Sequence, residues 1–165
     1  MGLINVSSIS GVQSINGLPY PLTTQSSATN PGSVSGLSVP PSAWTQLVST
    51  PTNFTFVGGK LYDVQFPLGA NITQASSNAN QNISFGVGTP SMTVPANCYT
   101  VHTLATAPTQ ILASGLCRAT IAPSTTTITQ PLTAYVLTAG SGDNATISCG
   151  GGANSTTPFV VKQIN

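Results

Sequence analysis

The sequence predicts an all-β protein, an antiparallel β-sandwich over residues 44–165 preceded by an extended arm over residues 1–43. Three observations predict it. From Trp44 onward, short runs alternate apolar and polar residues with the period of two that a half-buried strand requires. Turn signals separate these runs about every 8–12 residues, the spacing of a sandwich. Pro and Gly, 13 and 16 of 165 residues, recur too often for a long helix.

Residues 1–43 are dominated by Gly, Ser, Thr and Pro, with Pro19, Pro21, Pro31, Pro40 and Pro41 as punctuation. Ile4, Val6, Ile9, Val12, Ile15 and Leu18 recur about every three positions. Ser and Gly fill the gaps, which weakens a helix, so the segment reads as an extended arm laying single apolar side chains on a neighbouring surface. A helical turn capped by Ser42 is the one helical candidate.

The strands follow. Phe54 and Phe56 alternate, then Tyr62, Val64 and Phe66, with Gly58-Gly59 between the runs as a two-residue hairpin signal. Ile83, Phe85 and Val87 make the next strand. Residues 98–104 and 111–121 make two more, broken by Thr106-Ala107-Pro108-Thr109. Leu132, Ala134 and Val136 alternate, residues 145–149 form a short strand, and residues 159–164 close the chain.

Composition narrows the function. Only 3% of residues are charged and the net charge is +1, against about 25% charged in an ordinary domain. There is no Glu. The ionisable inventory, Cys and Tyr aside, is Lys60, Lys162, Arg118, Asp63, Asp143 and His102. Ser, Thr, Asn and Gln must hydrate the surface instead, as in residues 23–29, 74–82 and 124–130. Nucleic acid is not an expected partner, because phosphate binding needs clustered Lys and Arg. A membrane is not expected either, since no run approaches the ~18 apolar residues of a span. The first 14 residues lack the basic start and apolar core of a signal peptide, and Val6 stands where a myristoylation site needs a hydroxyl, so synthesis in a cytosol is expected.

Catalysis needs paired titratable groups. Two Asp and one His offer at most one Ser-His-Asp set, and no Gly-x-Ser-x-Gly elbow is present. Asp143 reads as a turn residue and His102 as a strand histidine, so no enzyme, cofactor or metal is expected. Cys98, Cys117, Cys149 and His102 could in principle hold zinc, but no Cys-x-x-Cys knuckle supports it. If a hairpin turns at Ala107-Pro108, Leu104 faces Ile111 and Cys98 faces Cys117, making those two cysteines a candidate disulfide; cytosolic synthesis favours buried free thiols instead. Asn-x-Ser/Thr sequons at Asn5, Asn53, Asn71, Asn82, Asn144 and Asn154 follow from a chain rich in all three residues. Gly150-Gly151-Gly152 lacks the Lys-Ser/Thr of a phosphate loop.

Gly59-Lys60-Leu61-Tyr62-Asp63-Val64, Ala134-Tyr135-Val136-Leu137 and the closing Pro158-Phe159-Val160-Val161-Lys162-Gln163-Ile164 carry a resemblance. Over about two-thirds of the chain, from Phe54 to Ile164, the sequence resembles a small viral jelly roll of the TNF-like or head-domain type. The low-charge composition resembles decoration (cement) and fibre proteins of tailed phages. That resemblance implies a jelly roll, a homotrimer, a place in the virion, and the major capsid protein or neighbouring virion subunits as partners. It implies no catalytic residues. It gives the arm a role, with Ile4, Val6, Ile9, Val12, Ile15 and Leu18 clamping the capsid or lacing subunits by strand addition to a partner's sheet edge. The expected function is a capsid decoration protein. The alternatives are a receptor- or glycan-binding fibre tip, with Trp44, Tyr20 and Tyr99 as stacking residues, and a secreted surface adhesin.

Overall fold

A computed structural model describes residues 14–15, 18–19, 24–27, 33–40, 42–74, 81–103, 110–139, 145–150 and 159–164. Among these residues there are twelve strands and no helix: β1 (Ser14–Ile15), β2 (Leu18–Pro19), β3 (Thr24–Ser27), β4 (Ser33–Val39), β5 (Thr45–Phe56), β6 (Tyr62–Gln74), β7 (Gln81–Gly88), β8 (Ala96–Thr103), β9 (Gln110–Ile121), β10 (Ile128–Ala139), β11 (Ala145–Gly150) and β12 (Phe159–Gln163). Every pairing is antiparallel.

The chain is one long hairpin rolled into two sheets. Gln81 pairs with Thr103, Tyr62 with Ile121, Phe56 with Ile128 and Val39 with Ala145, so each pair is centred near Met92, in the loop between β7 and β8. The nested pairs are therefore β7 with β8, β6 with β9, β5 with β10 and β4 with β11. Rolling this ribbon brings β10 beside β7 and β11 beside β6. The result is one sheet in the order β5-β10-β7-β8 and a second containing β4-β11-β6-β9. That is the jelly-roll order, and it confirms the expected fold class.

The expected alternations are the core. Phe54, Phe56, Tyr62, Val64, Phe66, Ile83, Phe85, Val87, Leu132, Ala134 and Val136 are all buried. The rings of Phe56 and Tyr62 meet edge to face with centroids 5.1 Å apart, and those of Phe66 and Phe159 at 4.8 Å. Such edge-on contacts suit the aromatic quadrupole and add to the burial energy.

Two expected hairpins are corrected. Gly58-Gly59 does not join paired strands, because β5 and β6 lie in different sheets. The turn instead carries the chain between layers. Gly59 has φ +71°, and a Cβ on Gly58 would lie 2.7 Å from the Cα of Thr126, so both glycines are needed there. β8 and β9 likewise do not pair with each other; β8 pairs with β7, and Ile111 on β9 faces Ile72 on β6. Periodicity finds a strand but not its partner, and a jelly roll sends most consecutive strands to opposite sheets. Ser42 caps no helix: β5 begins at Thr45, and Ser42 sits at φ +64° with its amide donating to the Thr138 carbonyl at 2.8 Å.

Part of the expected arm belongs to the sandwich. β4 lies against β11, with Val39 buried and Val34 and Leu37 packed on the core. Val34 and Leu37 are three apart and would face opposite ways on a regular strand. Gly36, at φ +66°, sits at a bulge where the register shifts between Ile147 and Cys149, and the bulge turns both inward. β3 continues this outer strand by pairing with β12, and β12 and β11 lie end to end along one edge of β6. No β11 or β12 residue is registered against Phe66, Pro67 or Leu68. Pro67, which has no N–H for a ladder, stands at the middle of that gap.

β3 also reaches the other sheet. The Gln25 carboxamide donates to the Thr55 carbonyl at 2.7 Å and accepts from the Thr55 amide at 2.8 Å. It mimics a neighbouring strand at the outer edge of β5, where an open edge invites association. β5 itself bulges at Thr50-Pro51-Thr52. There the Thr50 hydroxyl accepts from the buried Leu132 amide at 3.1 Å and donates to the Thr52 carbonyl. It supplies the acceptor that the Pro51 region of the ladder does not.

Candidate functional site

Three places on the described structure carry chemistry beyond packing. The first is the seam where β8 and β9, the outer strands of the two sheets, meet without a main-chain ladder among the described residues. Along β8 the register shifts between Phe85 and Gly86: Tyr99 faces Phe85 and Asn97 faces Gly86, leaving Cys98 as the bulged residue. A bulge re-aims its side chain, and here it points Cys98 at Cys117 of β9, which is fully buried. The two sequence-predicted cysteines are thus brought together, but across the sandwich rather than on neighbouring strands. Both are free thiols.

Hydrogen bonding between the two thiols holds Cys98 below and Cys117 above the ordinary thiol range, and burial pushes Cys117 further up. The Cys98 thiol donates to the Ala96 carbonyl at 3.7 Å. Beside them Tyr99 stacks on Phe85 with centroids 5.0 Å apart, and its buried hydroxyl has no hydrogen-bond partner among the described residues. Burial raises its pKa. An unpaired buried donor costs about 1–3 kcal/mol.

The other proposed zinc ligands are placed elsewhere. Cys149 on β11 pairs with Ala70 of β6, while Cys117 on β9 pairs with Phe66 from the other side of β6. Two strand spacings and four residues separate them, roughly 16 Å. His102 stands on β8 opposite Asn82.

The second place is a charged row on the outer face of the six-stranded sheet. Asp63 on β6 pairs with Lys162 on β12, and the Arg118 guanidinium on β9 donates to both carboxylate oxygens of Asp63, at 3.1 and 2.8 Å. The carboxylate raises the Arg118 pKa. Three of the five charged side chains in the chain therefore stand together. Exposed pairs of this kind add little stability, so the row fixes register more than it holds the fold. Sequence reading had no signal for it, because Asp63 lies 55 residues from Arg118 and farther still from Lys162.

The third is the outer face of the four-stranded sheet, where hydroxyls pair with one another. Ser49 meets Thr133 at 2.8 Å, Ser84 meets Thr100 at 2.8 Å, and Thr55 meets Thr129 at 3.4 Å. Each is a cross-strand pair on one face. The loops at one end are tied together: Gly59 donates to the Ser124 carbonyl at 2.9 Å, and Ser91 donates to the Gln130 side chain at 2.8 Å. That end exposes Val57, Leu61 and Val94.

Of the arm residues, Ile15 on β1 and Leu18 on β2 are paired with each other. Ile4, Val6, Ile9 and Val12 lie outside the described residues. Of the aromatic candidates, Tyr99 is engaged in the interior and Trp44 is half-buried, its ring 3.0 Å from where a Cβ on Gly86 would stand. Tyr20 lies outside the described residues.

No protein-family model matches the chain, and no curated protein matches it. Solved structures do, among them structures of infectious bursal disease virus and of particles derived from it. A structure of the Gt strain of infectious bursal disease virus covers 95% of this chain and 38% of its own, at 11% identity and a TM-score of 0.36. T=1 particles derived from the same virus cover 86% and 35% at 12% identity and a TM-score of 0.31. Its VP2 subviral particle covers 86% and 36% at 12% identity and a TM-score of 0.30. The chain spans a little over a third of the length of each of these structures. The jelly-roll assignment rests on the strand order itself.

Proposed function

We propose that this chain is a non-catalytic structural protein of a virus particle, a decoration (cement) protein that binds a phage head lattice and stabilises it. The observation that carries the reading is the surface of the jelly roll: exposed hydroxyls paired across the strands and few charges, three of the five gathered in one row. Such a surface has no field to steer an ionic ligand and no paired titratable groups for acid–base chemistry. It can bind through apolar contacts and uncharged hydrogen bonds, and a subunit that binds only the assembled lattice stabilises it by mass action. The partners are then the major capsid protein or neighbouring virion subunits.

Binding of that kind ignores salt. Raising ionic strength from ~0.1 to ~1 M shrinks the Debye length from ~10 to ~3 Å and weakens exposed ionic contacts only. The fraction of the chain that cosediments with its particle should be the same at both concentrations. Release at high salt would show that charge holds it, against this reading.

The homotrimer belongs to the same proposal. Light scattering on the free chain should read three times 16.7 kDa. A monomer would remove the trimeric head-domain likeness and leave attachment to the lattice as the source of order.

A further inference from the structure

The seam between the two sheets has chemistry that particle binding does not use. β8 and β9 are the outer strands of different sheets, and among the described residues no main-chain ladder joins them. At this point one strand bulges, and the bulge aims a half-buried thiol at a fully buried one on the other strand. Neither thiol holds a metal cluster with a third Cys, His, Asp or Glu among the described residues. We propose that Cys98 and Cys117 are a redox latch, which a small-molecule disulfide closes into an inter-sheet disulfide that fastens β8 to β9.

The chemistry is two successive exchanges. Cys98, the more accessible of the two, attacks as thiolate on one sulfur of the small disulfide. It forms a mixed disulfide and releases one small thiolate. Cys117 then gives up its proton and attacks the Cys98 sulfur, releasing the second small thiolate. The protein loses two electrons and two protons; the small disulfide gains them and leaves as two thiols. With the bulged Cys98 aimed at Cys117, the sulfurs reach the ~2.05 Å of a disulfide by movement of the bulge, the part of a strand that yields most easily. In a reducing cytosol the latch stays open, and it closes where small disulfides accumulate.

The closed loop would span about 20 residues, for which a cross-link raises the melting temperature of a domain this size by about 6–12 °C. The test uses the purified full chain exposed to glutathione disulfide under native conditions, then freed of reagent. We expect an intact mass lower by two hydrogens, a peptide map linking Cys98 to Cys117, and a melting temperature raised by that amount and restored by dithiothreitol. Cys98→Ser, at the half-exposed position, should fold and show no rise; Cys149→Ser should behave as the parent chain. Two thiols still free at equilibrium, a small thiol left on Cys98 without closure, a link through Cys149, or closure with no change in melting temperature would each overturn the latch. Because the experiment contains no particle, its outcome is independent of the decoration reading.

Discussion

A chain that begins at Trp44 should fail to fold: at 25 °C it should lack a cooperative thermal transition, where the full chain has one. The arm boundary at residue 43 would make this truncation harmless, yet β4 lies within the segment removed. Removing it takes away Val39, which is fully buried, and Val34 and Leu37, which pack on the core. At about 1.5–3 kcal/mol for a fully buried aliphatic side chain, and less for the partly buried pair, the loss is about 4–7 kcal/mol. It also bares the β11 edge along Ala145–Gly150 and removes the Gln25 clasp on Thr55. A domain is typically stable by only about 5–15 kcal/mol, so this loss takes a large share of it, before the bared β11 edge is counted. A truncated chain that unfolds cooperatively at the parental temperature would show that residues 1–43 are an appendage after all.

The same segment shows where a sequence stops being readable. The strands that alternate cleanly were legible because one face of each is core: Phe54 and Phe56, Ile83, Phe85 and Val87, Leu132, Ala134 and Val136. β4 was not, because the Gly36 bulge shifts its apolar residues to a spacing of three, which imitates the loose spacing of the residues before it. The topology was legible only through the viral resemblance. Nothing in a period of two distinguishes the Gly58-Gly59 crossover from a hairpin, and the distinction lies in contacts with Thr125 and Thr126, far along the chain. The cysteine pair was reached through a hairpin that does not exist. Cys98 and Cys117 meet because the roll folds β8 over β9, and because a bulge turns Cys98 out of its strand's alternation. The Asp63 row needed the register of three strands, which composition cannot supply. What composition did supply was the surface: a chain with so few charges has to hydrate through hydroxyls, and the four-stranded sheet pairs exposed hydroxyls across its outer face.

Phe66→Ala should be the most damaging single core change, with Phe159→Ala close behind. Phe66 has no exposed surface and Phe159 has 5%. Each truncation leaves a cavity as well as losing burial, at about 3–5 kcal/mol, or a fall in melting temperature of about 6–20 °C. Phe66 holds a special place because its strand has no registered neighbour there on the β11–β12 side. The chain leaves β11 at Gly150 opposite Gly69 and resumes pairing with β6 at Val160 opposite Gln65. Among the described residues, the ring of Phe66 against the ring of Phe159, 64° apart in plane, is a contact that spans that interruption. The two residues should therefore be coupled. The double variant should be less destabilised than the sum of the singles by about 0.5–1.5 kcal/mol, measured by denaturant unfolding. Additive losses would mean that each ring is held by the rest of the core, and that β12 is anchored through Val161 and its ladder to β6 rather than through the aromatic pair. A coupling in the expected range would make Phe159 the residue that docks the closing strand, and would explain why an apolar aromatic stands at the point where the chain re-enters the sheet.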